Sequence, residues 1–263
     1  MKLTDPAREL ATTIELLTTD PVQAVDQRIA QDFGINRWSP QVFKVIFEIL
    51  NRCDLVASEI NKLPLDVDVA DEATKSLTVI RNTVGSNKFL NQTTGNLKTA
   101  FAGSNITILK MLSSQIRANV SYAFLTKDEV KDILADVSNL IEWLDKFQAE
   151  SPDFIRQALI DGLKEFSFRL KHLGWFGSGY TLTSLKEVLH AYLALQGAVS
   201  IYPDGSEVNQ AILLKVKSFM LNALSKFNLI KETSDSTEWV LKAYGAFSAL
   251  SDGSQTISGL IGN

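Results

Sequence analysis

The sequence predicts an all-α protein, a multi-helix bundle of about nine or ten helices around an antiparallel helical hairpin. Three observations carry that expectation. Apolar residues recur at helical spacing almost throughout the chain. Six prolines and fourteen glycines are few for 263 residues, so long helices run uninterrupted. Strand patterning is nearly absent. Its best case, Leu65 to Val69 in LPLDVDV, is flanked by proline and reads as an extended linker.

Two short helices are expected near 6–18 and 21–32. Ser39-Pro40 opens a third, an N-cap followed by proline at the first helical position. Its apolar side comprises Phe43, Ile46, Phe47, Leu50, Cys53 and Ile60, and Pro64 ends it. The acids Asp66, Asp68, Asp71 and Glu72 come next. A calcium loop needs oxygen ligands at fixed offsets and a glycine for its sharp turn, and no glycine is present here. Asp68 therefore reads as an N-cap, with Asp71 and Glu72 as first-turn acids. At about 85–105, NKFLNQTTGNLKTAFAGSN has turn chemistry and is expected to be an irregular polar connection.

The clearest helix is Thr126 to Phe147. Val130, Ile133, Leu134, Val137, Leu140, Ile141, Leu144 and Phe147 fall on one stripe, and Thr126 with Glu129 forms a capping box. Ser151-Pro152-Asp153 opens the next helix. It runs through Phe154, Ile155, Ala158, Leu159, Leu163, Phe166 and Leu170 to a stop at Gly174. The short linker between them predicts the antiparallel hairpin, 126–173. A helix at about 183–200 follows, ending at the turn Pro203-Asp204-Gly205, and then helices at about 206–228 and 236–250. The organisation expected is an N-terminal helical region at 1–84, the connection at 85–105, a main bundle at 106–250 and a small-residue tail at 251–263, in one continuous globular unit.

A hydrophobic fraction of 45% with 21% charged residues is that of a folded chain. The net charge of −4 lacks the overall basic excess of a non-specific DNA binder. A single cysteine, Cys53, at helical spacing from Ile49, Leu50 and Val56, reads as an inert core thiol in a reducing cytoplasm. MKLTDPAREL has acids and an arginine where a signal peptide needs an apolar run. No stretch reaches the ~18–20 apolar residues that span a bilayer.

Charge is segregated. Ala73 to Lys127 contains no aspartate or glutamate but seven cations: Lys75, Arg81, Lys88, Lys98, Lys110, Arg117 and Lys127. The rest of the chain holds 19 basic residues against 30 acidic ones. Such a block calls for an anionic neighbour, inside the molecule or outside it. An internal answer is the region 128–165, with ten acids against four basic residues. An external answer is an acidic protein partner bound through Lys88, Lys98, Lys110 and Arg117. Phe89, Phe101, Tyr122 and Phe124 interleave with these cations, which keeps nucleic acid open as a third answer.

Catalytic signatures are scarce. His172, in RLKHLG, suits the end of a helix, where a cation complements the dipole. His190 lies three residues after Glu187 with no nucleophile motif beside it. There is no Walker loop, Gly-x-Gly-x-x-Gly, Gly-x-Ser-x-Gly or Cys-x-x-Cys. The expected class is non-enzymatic, without cofactor or metal. In WFGSGY, the rings of Trp175, Phe176 and Tyr180 either plug a core or form a ligand-contact loop. The last 21 residues carry a single charge, Asp252, so the tail either docks on the body or meets a membrane surface.

Ile60-Asn-Lys-Leu-Pro-Leu-Asp-Val-Asp, followed by an apolar helix and Phe89-Leu-Asn-Gln, resembles a pattern in uncharacterised all-helical bacterial proteins of unknown function. So does the later run: Leu140-Ile-Glu-Trp-Leu-Asp-Lys, Phe154-Ile-Arg-Gln-Ala-Leu, Phe168-Arg-Leu, a glycine, and Leu185-Lys-Glu-Val-Leu. The resemblance covers about residues 45–195, mostly at helix-packing positions, and Trp175-Phe176 depart from it. It implies a bacterial, cytoplasmic, all-helical protein and carries no activity.

The expected function is a non-enzymatic protein-interaction module of a bacterial multi-component system, such as antiviral defence or toxin neutralisation. One alternative is nucleic-acid binding by residues 73–127, and another is membrane association through the tail.

Overall fold

The computed structural model describes residues 3–19, 21–101, 104–146, 153–201 and 207–227. The expected linker at 147–152, the turn at Pro203-Asp204-Gly205, the helix at 236–250 and the tail lie outside these. The fold is all-α, with two dipeptide strands among the described residues, β1 (Leu3–Thr4) and β2 (Tyr122–Ala123). The described residues divide into two compact units, one from 3–121 and 172–177, the other from 122–171 and 178–227.

The first unit contains α1 (Pro6–Thr18), α2 (Val25–Phe33), α3 (Pro40–Ile60), α4 (Val67–Val84), α5 (Thr94–Ala100) and α6 (Ser104–Asn119). Helix α1 starts where Asp5 accepts the Arg8 N–H at 3.0 Å and Pro6 takes a first-turn position. It packs on α3 and α6, and α4 packs on both of these. Leu10, Ile14, Val45, Ile49, Ile80, Leu109 and Ile116 are fully buried. Each contributes roughly 1.5–3 kcal/mol by leaving water.

The structure departs from the sequence expectation at three places in this unit. The linker at Leu65–Val69 is already helical from Val67, with Asp66 at the N-cap position and Asp68 in the first turn. Acids there complement the helix dipole, so the alternation of LPLDVDV does not make an extended segment. The 85–105 connection holds a 3-10 turn, Phe89–Asn91, and α5. Thr93 caps α5 by accepting the Asn96 N–H at 3.2 Å, while Phe89, Leu97 and Phe101 are buried. In α3, Phe43 and Phe47 are 39% and 63% exposed. The buried stripe runs instead through Val42, Val45, Ile49, Cys53, Val56 and Ile60.

The second unit contains α7 (Lys127–Lys146), α8 (Asp153–Lys171), α10 (Leu185–Ile201) and α11 (Glu207–Phe227). Helix α8 packs on α7 and α10, and α11 packs on the same two. The capping box is formed, with Glu129 N–H donating to Thr126 Oγ1 at 3.2 Å and Thr126 N–H to Glu129 Oε2 at 2.7 Å. Those hydrogen bonds hold the Glu129 carboxyl below its ordinary range. Arg156 Nη1 donates to the Leu144 carbonyl at 2.9 Å, bringing the start of α8 to the end of α7 as a hairpin requires. Of the stripe expected on α8, Ile155, Leu159, Leu163, Phe166 and Leu170 are buried, but Phe154 is 72% exposed. At Gly162, a Cβ would lie 2.9 Å from Val188 Cγ2 and 3.1 Å from Val188 N, so the missing side chain lets α8 and α10 approach.

Helix α9 (Leu173–Thr183) replaces the loop expected at WFGSGY, and it is broken at Gly177, where φ is 73°. A Cβ there would strike the Glu9 carboxylate and lie 3.4 Å from Arg52 Cζ. Glycine is required on both counts.

Candidate functional site

The most distinctive exposed feature is an aromatic ledge on the first unit. Trp38 is 51% exposed and its ring lies 6.3 Å from that of Phe43, within the range of favourable aromatic pairs. Phe47 is one helical turn further along α3. Trp38 is the one non-glycine residue with positive φ among the described residues, at 63°. A bulky residue in that region stores strain, which a fold retains only where surrounding contacts impose it.

Contacts on both sides of Trp38 impose it here. Helix α2 ends at Gly34, φ 64°, whose N–H bonds Gln31 O at 3.2 Å, while Ile35 N–H bonds Ala30 O at 3.0 Å. Arg37 grips the fully buried Asp26 carboxylate with two hydrogen bonds, Nε at 2.7 Å and Nη2 at 2.9 Å. Hydrogen bonding to Asp26 raises the Arg37 guanidinium above its ordinary value. Ser39 N–H then closes on Asn36 O at 3.4 Å before Pro40 begins α3. The turn 34–39 is thus pinned at both ends, and Trp38 is held outward between the pins.

The ledge's own stretch of chain holds cations only, one of them, Arg37, paired with Asp26 of α2. Gly34 to Phe47 contains Arg37 and Lys44 and no acid. A Cβ at Gly85 would lie 3.9 Å from Leu50 Cδ2, so the turn leading to Lys88 meets the middle of α3.

The sequence-predicted residues divide into three groups. Lys88 and Lys98 are exposed. Lys110 pairs with Glu15 of α1. Arg117 lies 3.2 Å from Asp5, whose Oδ2 also accepts Ser113 Oγ at 2.6 Å. Arg81 pairs with Asp54. Three of the seven cations of the acid-free segment therefore meet acids of α1, its cap and α3, in their own unit. Trp175 and Phe176 are buried, with Phe33 5.8 Å from Trp175 and 5.6 Å from Phe176 between ring centres. Trp175 Nε1 donates to Asp32 Oδ2 at 3.2 Å. Tyr180 is half-buried beneath the Arg169 guanidinium, 3.8 Å from its ring centre. WFGSGY does not bring these three residues to one surface.

Sequence reasoning assigned Phe43 and Phe47 to the core and passed over Trp38. A signal was present: α3 carries a complete stripe of smaller apolar residues without them, so two phenylalanines one turn apart were surplus to its buried face.

Histidine chemistry gathers no site. His172 stacks on Phe33 with ring centres 4.2 Å apart, and His190 and Glu187 are exposed. Among the described residues no group of three or more histidines, cysteines or acids could hold a metal ion, and no helix is long and apolar enough to cross a membrane. No protein-family model, curated protein or solved structure matches the chain.

Proposed function

We propose that this chain is a non-enzymatic protein-interaction module of a bacterial multi-component system. It contacts an acidic, amphipathic helix of a partner protein through Trp38, Phe43 and Phe47. The observation that carries this reading is Trp38, a large aromatic residue kept exposed in a strained backbone by a pinned turn. Tryptophan and other aromatic anchors supply most of the energy in protein interfaces. Arg37 gives two of its five donors to Asp26 and its side chain is 52% exposed, so the remaining donors can meet acids flanking the partner's apolar face. Nucleic acid is the less favoured occupant, because Arg81, Lys110 and Arg117 are engaged by Asp54, Glu15 and Asp5.

The test is affinity capture of the tagged full chain from its host. Wild type is compared with Trp38→Gly, with Phe43→Ser plus Phe47→Ser, and with Leu214→Ser as a control at an exposed residue of the other unit. Trp38→Gly removes the ring and relieves the positive φ, so its melting temperature is expected to be unchanged or higher. A stoichiometric acidic protein retained by the control and lost from both ledge variants supports the reading. Identical captures from all four chains, or nucleic acid in place of protein, overturn it.

A further inference from the structure

An open cleft of about 350 Å³ lies between α7 and α11 of the second unit. The two helices are antiparallel and in fixed register. Lys226 Nζ lies 4.0 Å from Asp132 Oδ2, and Asn222 Nδ2 donates to Asp136 Oδ2 at 2.8 Å. Lys215 Nζ stands 4.8 Å from the centre of the Trp143 ring. Each step of four or seven residues along α7 is matched by an equal backward step along α11. The cleft occupies the interval between the last two rungs. Asp136, Asn139 and Trp143 line one wall, and Lys215, Ser218 and Asn222 line the other. Leu140 and Phe219, each 7% exposed, form the floor.

We propose that this cleft binds a short zwitterionic peptide of about three residues, with its ammonium group at Asp136 and its carboxylate at Lys215. The two ends of the cleft carry opposite charges, and each charge has capacity left. A carboxylate offers about four acceptor sites, of which Asn222 takes one, and a lysine ammonium keeps its three donors while it rests on a ring.

Spacing selects the length. Asp136 and Trp143 are two turns apart, about 10 Å along the helix axis. An extended chain advances ~3.3–3.6 Å per residue, so three residues span that interval and a free amino acid does not. Between the charged ends stand the exposed Asn139 carboxamide and Ser218 hydroxyl, which can donate to and accept from peptide groups. The floor of Leu140 and Phe219 takes an apolar middle side chain. The inference is independent of the ledge, because all its residues belong to the other unit.

The probe is the tripeptide Ala-Leu-Ala, titrated calorimetrically into the full chain. Asp136→Asn keeps a partner for Asn222, and Lys215→Gln keeps a polar stem. Lys215 is exposed and Asp136 half-buried, and retention of the wild-type melting temperature establishes that each variant is folded. Wild type is expected to bind the free tripeptide at least tenfold more tightly than its N-acetylated or its C-amidated form. N-acetylation should cost nothing further in Asp136→Asn, and amidation nothing further in Lys215→Gln. Free leucine should not compete. Failure of Ala-Leu-Ala to bind at millimolar concentration, or binding indifferent to both caps, overturns the proposal.

Discussion

Arg52 Nη2 donates to the Trp175 carbonyl at 2.7 Å, across 123 residues of sequence. The same buried guanidinium donates to Thr13 Oγ1 at 2.8 Å and to Glu48 Oε1 at 3.2 Å. Thr13 Oγ1 in turn donates to Glu9 O at 3.0 Å and lies 3.1 Å from Gly174 O. One cation on α3 therefore ties α1 and the 172–177 segment together inside the first unit. Removing one partner of a buried ion pair leaves the other uncompensated. Arg52→Met should lower the stability of this unit by about 3–5 kcal/mol in chemical denaturation. Adding Glu48→Gln should recover part of that loss.

Arg117 and Lys88 are both cations of the acid-free segment, and reversing their charges should have unequal consequences for folding. Arg117→Glu sets a carboxylate against the buried Asp5, and should destabilise by several kcal/mol. Lys88→Glu changes an exposed side chain and should stay within about 0.5 kcal/mol of wild type. Thermal melts of the two variants check this. Equal melting temperatures would remove the structural role assigned to Arg117.

Gly162→Ala places a methyl group against the Val188 backbone, which cannot move without shifting α10. Overpacking of this kind costs about 1–3 kcal/mol. Val188→Ala in the same chain removes the Val188 Cγ2 contact but leaves Val188 N at 3.1 Å, so it should restore only part of the stability. Full restoration by Val188→Ala would show that the side chain alone sets the approach.

Cys53 is 2% exposed, and burial pushes its thiol up to about 12, against the opposing pull of Arg52 and Arg81. The thiol is neutral at pH 7 and should resist iodoacetamide until the protein unfolds. The folded value is raised, so the native state holds this proton at a pH where the unfolded chain releases it. The stabilisation is complete below about pH 9 and is lost as pH rises from there towards 12, by up to about 1.4 kcal/mol per pH unit. The difference in unfolding free energy between wild type and Cys53→Ala should shrink over that window and be flat below it.

The hairpin helices were legible because each strong signal lay close in sequence. The box at Thr126 and Glu129, the stripe from Ile133 to Leu144 and the turn region before Asp153 all act within a few residues of themselves. Helix α5 was hidden because Thr93, Thr94 and Asn96 look alike as loop residues and as cap residues; only the docking of Leu97 and Phe101 separates the two. The partners of the basic segment were hidden for another reason. Asp5 and Arg117 are 112 positions apart, and charge counting cannot say which acid a cation meets. It pointed to the acid-rich 128–165 region, whereas the acids that pair with Arg81, Lys110 and Arg117 are Asp54, Glu15 and Asp5. The ledge was misread because phenylalanine at helical spacing satisfies the pattern of a core, and only the surplus of apolar residues on α3 distinguishes a second face.

The discontinuity of the first unit has a consequence for how the protein comes into being. A ribosome that has finished residue 121 has not yet supplied Trp175 or Phe176, which complete the packing around Phe33, nor the carbonyl that receives Arg52. About 50 more residues must be translated first, a delay of about 3–10 s at ~5–20 residues per second. During that interval the nascent helices 6–119 hold an unfilled aromatic seat and a guanidinium short of a partner. This is the moment at which a chaperone would find the chain.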